Sequence, residues 1–324
     1  MSTESNNLKS EVSAGEPSEK PQEEGEGAKA EDKLSKSSSK SDESKLKKNV
    51  KKVMVGMTGG MDSAVTSFLL KKQGYEVTGV AVNFFNPNDD LYSKKRYYAG
   101  TEGELIDSKD TNPYIENVLP HCYLKNVEHV KIVCDQLEIG FYAINAYDRY
   151  RELVLGNVFA KRLEGKHFFP CMHCSTLLVD ILVEKAELLG INNISTGHYA
   201  KVHFHEQTKL YNLLGANDKS MDQSHQLALL TQKQLEKLLL PIGDLRRIEV
   251  EKIAKNGGWK LVNKEPRKKV CFIDSSESAN FLERTTAPSL RKSGHFINIK
   301  DDSHIGEHQG IHRFELGDEE FPTS

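Results

Sequence analysis

The chain has 324 residues, of which 37% are hydrophobic and 28% charged, with a formal net charge of -3. That length holds one sizeable α/β domain plus a smaller appendage, and the balance gives no overall electrostatic signature of nucleic-acid binding, so such a partner would have to be met by local basic patches. No apolar run is long enough to span a bilayer, and the N-terminus has neither a signal-peptide core nor transit-peptide character, so a cytoplasmic location is expected.

Residues 1–49 are Ser, Glu, Lys and Gly with almost no aromatic or β-branched residues. Such a segment cannot offset its ordering entropy by burial, and a disordered polar tail is expected. Lys51-Lys52-Val53-Met54-Val55-Gly56-Met57 is an apolar run entered from charge, which suits a buried parallel strand. Residues 58–63 form a tight polar turn. Residues 64–73 read as a helix with Val65, Phe68 and Leu69 on one face, closed by Gly74, and 76–84 as a second strand. Strand, glycine turn, helix and strand make a βαβ unit, so the expected fold class is α/β, a parallel doubly wound sheet with helices on both faces.

Residues 86–124 form a long, poorly periodic insertion. Beyond it, 127–137 reads as helix, 141–145 as strand, 147–164 as an amphipathic helix ending at Gly165, and 177–189 as a helix ending at Gly190. Residues 191–196 form a strand leading into Gly197-His198-Tyr199, and the alternation of strands and helices is expected to persist to about Gly243. A helix over 248–256 precedes strand-like pieces at 296–299 and 311–316. The domain division that follows is a tail over 1–49, a nucleotide-binding domain over 50–245, and a small β-containing domain over 246–324.

Thr58-Gly59-Gly60-Met61-Asp62-Ser63 sits between a strand and a helix. Glycines let the backbone approach an anion, successive N–H groups form a nest, and the helix N-terminus adds unsatisfied donors and partial positive charge. Thr58 and Ser63 can donate to phosphate oxygens, and Asp62 suits a Mg²⁺ ion shared with phosphate. The loop is neither a Walker A sequence nor a dinucleotide fingerprint. The bland alternative is a glycine turn with a helix cap.

Five cysteines in a chain without an export signal argue against a disulfide framework. Cys171-Met172-His173-Cys174 precedes a predicted helix, whose N-terminal dipole favours thiolate. The Cys-x-x-Cys spacing suggests a metal pair, a redox pair or a nucleophile. Zinc would need two further ligands, and only His173 and the distant Cys271 are at hand, so thiol chemistry is favoured. Cys271 is flanked by Lys268-Lys269, cations that favour a thiolate or persulfide. Cys134 falls on the apolar side of a helix and is expected to be core; Cys122 receives no role.

With these residues in place, the span from about Lys52 to Gly317 resembles the tRNA-specific 2-thiouridylase family (MnmA/TrmU), within the PP-loop ATP pyrophosphatase superfamily. The phosphate loop is similar to Ser-Gly-Gly-x-Asp-Ser, with Thr58 in place of Ser. Ser195-Thr196-Gly197-His198-Tyr199-Ala200, Asp222-Gln223-Ser224, Pro241-Ile242-Gly243-Asp244-Leu245, Val270-Cys271-Phe272-Ile273 and Ile305-Gly306-Glu307-His308-Gln309-Gly310 follow in the family's order. Departures include Cys171 where some members carry Asp, Ser175 where Asn is usual, and Met221 where Lys is usual. Family members continue past the position of Ser324 into a C-terminal β-barrel, so 246–324 corresponds to a truncated central-type domain.

The resemblance implies ATP and Mg²⁺ as co-reactants, tRNA as substrate and a protein persulfide carrier as sulfur donor. It implies an ATP-binding set of Gly56, Met57, Thr58, Gly59, Gly60, Met61, Asp62, Ser63, Asn83, Gly197 and His198. Asp222, Gln223 and Ser224 would line the nucleotide pocket. Cys174 and Cys271 would be the catalytic thiols and Cys171 a third. Lys264, Arg267, Lys268 and Lys269 form the basic patch beside Cys271 that would meet tRNA. Three thiols also suit an iron–sulfur cluster with one open iron. His198 has the alternative of a hydrogen-bonded core histidine, and Asp222 that of a helix N-cap. The implied activity is adenylation of a wobble uridine followed by sulfur transfer to give 2-thiouridine. Two other readings stay open at the level of sequence: a degenerate paralogue that binds nucleotide, tRNA or a sulfur carrier without turnover, and a PP-loop enzyme of different substrate.

Overall fold

The computed structural model describes residues 50–84, 86, 127–166, 168–261, 279, 282–283 and 286–314, together with the backbone of 96–99 and 104–107. The tail expected over 1–49 lies outside the described residues. In chain order the elements are β1 (Lys52–Gly56), α1 (Met61–Lys72), β2 (Glu76–Asn83), β3 (Arg96–Ala99), β4 (Glu104–Asp107), α2 (Val127–Leu137) and β5 (Gly140–Asn145). There follow α3 (Tyr147–Tyr150), a π turn (Arg151–Leu155), α4 (Gly156–Leu163), α5 (Pro170–Leu188), β6 (Asn193–Thr196), β7 (Ala200–His205) and β8 (Leu210–Gly215). The last are α6 (Gln232–Lys237), β9 (Leu238–Leu239), α7 (Arg247–Gly257), β10 (Gly294–Ile297) and β11 (His304–His308).

Val53, Met54 and Val55 are completely buried, as a strand covered on both faces requires. Val53 and Val55 join Ala64 and Leu70 of α1 and Val130, Val133 and Cys134 of α2 in one core. Met54 points the other way, into a second core with Val80, Val154, Leu178 and Leu182. The period of two therefore sorts one apolar run into two helix layers. Each such side chain contributes about 1.5–3 kcal/mol relative to exposure. A third cluster packs Val65 of α1 against Val250 and Ala254 of α7, with Tyr199 and Ile242 between them.

The main sheet has strand order β5-β2-β1-β6-β9. Every pairing in it is parallel. From β1 the chain builds outward through β2 and β5, then returns to lay β6 on the other side of β1. The order reverses between β1 and β6, and the crevice beyond the carboxyl ends of those two strands is where open α/β sheets take ligands. The expected doubly wound α/β class is what the structure has. No helix among the described residues is long and apolar enough to cross a membrane.

Several boundaries differ from the sequence-based expectation. The insertion holds an antiparallel hairpin, β3 with β4. The strand–helix alternation before Gly243 is interrupted by a second antiparallel hairpin, β7 with β8. Helix α5 starts at Pro170 rather than near 177, so Cys171 and Cys174 lie within its first turns. Proline is well placed there because the first helical N–H has no acceptor to lose. Residues 311–316 were expected as strand, but Ile311–Arg313 is a 3-10 turn. The partner of β10 is instead β11.

Gly79 of β2 shows how tightly the α2 side is packed. A Cβ there would stand 2.6 Å from Cys134 Sγ and 3.0 Å from Met57 Cγ. Gly79→Ala is expected to cost about 1–3 kcal/mol by overpacking. In a Cys134→Ala background the same substitution should cost clearly less, and urea denaturation of the four proteins of that cycle measures the coupling.

Candidate active site

Gly59 adopts φ +71°, a left-handed turn that turns the chain from β1 toward α1. The turn is braced from within. Thr58 Oγ1 accepts from Gly60 N–H at 3.2 Å, and Thr58 N–H donates to Ser63 Oγ at 3.2 Å. Ser63 Oγ in turn donates to the Gly60 carbonyl at 3.2 Å. The first-turn N–H groups of α1 have no acceptor within the helix and face outward from its end. Gly56 closes β1, and Met57 is anchored by its N–H to Val80 O at 2.8 Å and by Ser67 Oγ at 3.0 Å from its sulfur. The loop is thus cross-braced by its own hydroxyls, and the first-turn N–H groups of α1 are the donors it leaves for an outside acceptor.

Asn83 ends β2, in register with Asn145 of β5, and its carbonyl accepts from Ala146 N–H at 2.8 Å. It stands at the carboxyl edge of the sheet, as the loop does. Gly197 follows β6, and a Cβ there would lie 2.8 Å from Ser63 N and 2.9 Å from the Asp62 carbonyl carbon. Any side chain at 197 would push the end of β6 off the start of α1.

His198 is 6% exposed. One ring nitrogen, Nδ1, lies 2.8 Å from Thr196 Oγ1, and the other, Nε2, lies 3.2 Å from Ser175 Oγ. Burial pushes its pKa down to about 4, with His225 nearby adding to the shift. The imidazole is therefore neutral near pH 7, and it ties β6 to the first turns of α5. Cys174 precedes Ser175 and packs at the edge of the α5 core, while Cys171 sits one turn earlier and is likewise half-buried. Cys171 lies in the first turn, where the helix dipole favours negative charge, and Cys174 one turn further in. Phe168 stacks on His173 at 4.6 Å and Phe169 meets His225 at 5.4 Å, fixing the chain as it enters this helix. Cys134 contrasts with both: it is completely buried, and burial, with Asp135 adding, pushes its thiol up to about 12.

Asp62 Oδ1 accepts from Arg247 Nη1 at 2.9 Å and from the Tyr199 hydroxyl at 3.1 Å. Burial raises the Asp62 pKa, and Arg247 and Tyr199 offset only part of that rise. Neither Arg247 nor Tyr199 was among the site residues expected from the sequence. Asp222 and its neighbours serve the backbone. Asp222 Oδ1 accepts from Ala216 N–H at 2.7 Å and its Oδ2 from Ser224 Oγ at 2.8 Å. Burial raises the Asp222 pKa, yet those bonds and Lys219 outweigh it and hold the carboxyl below its usual value. Gln223 brackets Tyr199, accepting its N–H at 3.0 Å through Oε1 and donating its own N–H to the Tyr199 carbonyl at 2.8 Å.

Cys271, Lys264, Arg267, Lys268 and Lys269 lie outside the described residues, as does Cys122. The structure therefore brings together the loop of 58–63, Gly197, His198 and the helix that carries Cys171 and Cys174, while the second expected thiol and the basic patch stand on sequence alone.

Residues 51–275 match the family model described as tRNA methyl transferase HUP domain. The chain belongs to that family. Within the family it is 32% identical over 268 residues to the tRNA-specific 2-thiouridylase MnmA of Clostridium beijerinckii, covering 82% of this chain and 67% of the relative. To the protein of the same name from Clostridioides difficile it is 34% identical over the same shares of the two chains. A solved structure described as a predicted subunit of tRNA methyltransferase from Methanocaldococcus jannaschii aligns at TM-score 0.36 and 12% identity. It covers 64% of this chain and 76% of that one, a likeness too weak to carry an argument.

The buried neutral histidine of this family member has a consequence for stability. Its folded-state pKa of about 4 lies below the unfolded value of about 6.5, so the unfolded chain binds more protons between those limits. The His198 contribution is intact above about pH 6.5 and is lost as pH falls toward 4, by about 3 kcal/mol in all. Chemical denaturation across pH 4–7 should show His198→Gln losing less stability over that window than the parent protein.

Proposed function

We propose that the chain is an ATP-dependent tRNA-uridine 2-sulfurtransferase that converts a wobble uridine to 2-thiouridine. The observation that carries this reading is the continuous tie from the phosphate loop to the thiol helix. Gly197 lies against Ser63 of the loop, and His198, the next residue, reaches Ser175 beside Cys174. A nucleotide-activating site and a pair of thiols are thereby held at one edge of one sheet. The names of the relatives supply the substrate: they are thiouridylases acting on tRNA.

The chemistry follows in order. The uridine O2 attacks the α-phosphorus of ATP and pyrophosphate leaves into the loop of 58–63. C2 then carries an adenylated oxygen and becomes electrophilic. Cys271 brings sulfur as a persulfide. The Cys174 thiolate attacks Sγ of Cys271, so HS⁻ leaves and a Cys174–Cys271 disulfide forms. HS⁻ adds to C2 and AMP departs, while an external thiol later reduces the disulfide. His198, neutral and held from both nitrogens, positions the Cys174 turn without adding charge to the phosphate side.

Magnesium would be held by Asp62 together with phosphate oxygens, its chemistry being to neutralise phosphate charge. Asp62 Oδ1 already accepts from Arg247 and Tyr199, so most of the ion's oxygen ligands would come from phosphate and water. An iron–sulfur cluster would require Cys271 as third ligand to Cys171 and Cys174. The basic patch of Lys264, Arg267, Lys268 and Lys269 is assigned to tRNA, a protein persulfide to sulfur donation, and the cytoplasm to location.

Nucleoside mass spectrometry tests the reading. Anaerobically purified protein, incubated with unmodified tRNA, ATP, Mg²⁺ and a sulfide source, should form 2-thiouridine only when ATP is present. Folded protein that binds ATP yet yields none would overturn it in favour of a nucleotide-binding relative without turnover. Given a persulfide donor, Cys174→Ser should abolish thiouridine while retaining tRNA-dependent pyrophosphate release; full thiolation by that variant would remove Cys174 from the mechanism.

A further inference from the structure

The hairpin of β10 and β11 carries a cluster that none of the chemistry above uses. His295 pairs across the ladder with Glu307, and Phe296 with Gly306. In a regular antiparallel ladder Ile297 would then face Ile305. Instead the register shifts and Ile297 pairs with His304. Ile305 is the extra residue of a β-bulge, and its side chain is 61% exposed.

The bulge decides which way His304 points. Along a strand, side chains alternate between faces, so His304 and Glu307, three residues apart, would ordinarily lie on opposite faces. One inserted residue reverses that. His304 now shares the face of Ile297, which is also the face of His295 and its partner Glu307. The result is visible in the contacts. His304 Nε2 lies 2.8 Å from His295 Nδ1, and His295 Nδ1 lies 3.7 Å from Glu307 Oε1. One ligand atom from each of the three residues falls within 4.8 Å of the others, and all three side chains are exposed to solvent.

We propose that His295, His304 and Glu307 form a binding site for a divalent transition-metal ion of the zinc class. Two imidazoles and one carboxylate are the donor set that borderline cations take, with a fourth position left to water. Tetrahedral bonds of about 2.0–2.1 Å set neighbouring ligand atoms about 3.3 Å apart. The two nitrogens need to separate by about half an ångström to reach that spacing, and the Glu307 carboxylate to approach His295 Nδ1 by about as much. The ion replaces the proton shared between His295 and His304 and joins both strands of the hairpin across its bulge. The site uses no residue assigned to thiolation.

The thiols must be silenced before the site can be measured, because they would compete for zinc. Full-length protein alkylated with iodoacetamide and titrated calorimetrically with zinc chloride should bind one equivalent saturably. His295→Ala and His304→Ala should each weaken that binding at least about tenfold, and Glu307→Gln, which keeps the shape and removes the charge, should weaken it as well. His203→Ala, an exposed histidine of β7, should leave it unchanged. No saturable binding by the alkylated parent, or equal affinity in the His295 and His304 variants, overturns the assignment.

Discussion

The backbone of Gly197 lies so close to the first turn of α1 that a Cβ would stand 2.8 Å from the Ser63 nitrogen. That contact exists because β1 and β6 are parallel neighbours, with Gly56 opposite Thr196 at their carboxyl ends. The strand that ends in the phosphate loop and the strand that ends in Gly197 therefore deliver their loops to one place. Consecutive residues then reach in different directions. Gly197 touches the loop, His198 crosses to Ser175 on α5, and Tyr199 returns its hydroxyl to Asp62. A short stretch of backbone thus fixes the spacing between the glycine turn of 58–63 and the thiol helix.

Asp62 extends this arrangement to the C-terminal side of the chain. A half-buried carboxylate is costly without a partner, and its raised pKa reflects that burial. Arg247, at the start of α7, supplies a guanidinium at 2.9 Å and is itself held by Glu251 at 2.9 Å. Its backbone N–H is taken by Asp218 at 2.9 Å. The helix is placed by packing of Val250 and Ala254 on Val65, and the ion pair then sets the charge beside the phosphate loop. Packing and electrostatics point to one role for α7: it keeps the Asp62 carboxylate balanced by a cation, which under the proposed function lowers the repulsion that a phosphate approaching the loop would meet.

The local parts of this design were legible in the sequence. β1, the glycine turn, α1 and β2 follow from an apolar run, turn residues and helical spacing, all of which act over short range. What sequence could not supply was long-range or lacked a local signal. Arg247 lies 185 positions from Asp62, and no local signal in the sequence links the two. The start of α5 was missed because its first turn has no acidic residue and Phe169 offers no capping side chain, leaving Pro170 as the one local cue. The β7–β8 hairpin had a local signal in β7, where Ala200, Val202 and Phe204 alternate with Lys201, His203 and His205, but β8 (Leu-Tyr-Asn-Leu-Leu-Gly) lacks that alternation, so the pairing did not stand out. The face of His304 was unreadable in principle, since alternation alone puts it on the wrong side and only a bulge corrects it.

The cysteines show environment rather than residue type deciding chemistry. Cys134 occupies a helix face turned into the core beneath Gly79, where burial disfavours its thiolate and packing is its contribution. Cys171 and Cys174 occupy the opening turns of α5, half-exposed, at the end of a helix whose dipole favours negative charge. That end is held at the sheet's carboxyl edge by a neutral histidine. A protonated imidazole there would draw phosphate and thiolate toward the same cation; burial removes that competition by keeping His198 uncharged. Among the described contacts at the loop, the positive side chain is Arg247, already paired with Asp62, so under the proposed function the charge of a bound phosphate and of a thiolate would have to be met by the helix N-termini and by the nucleotide's own counter-ion.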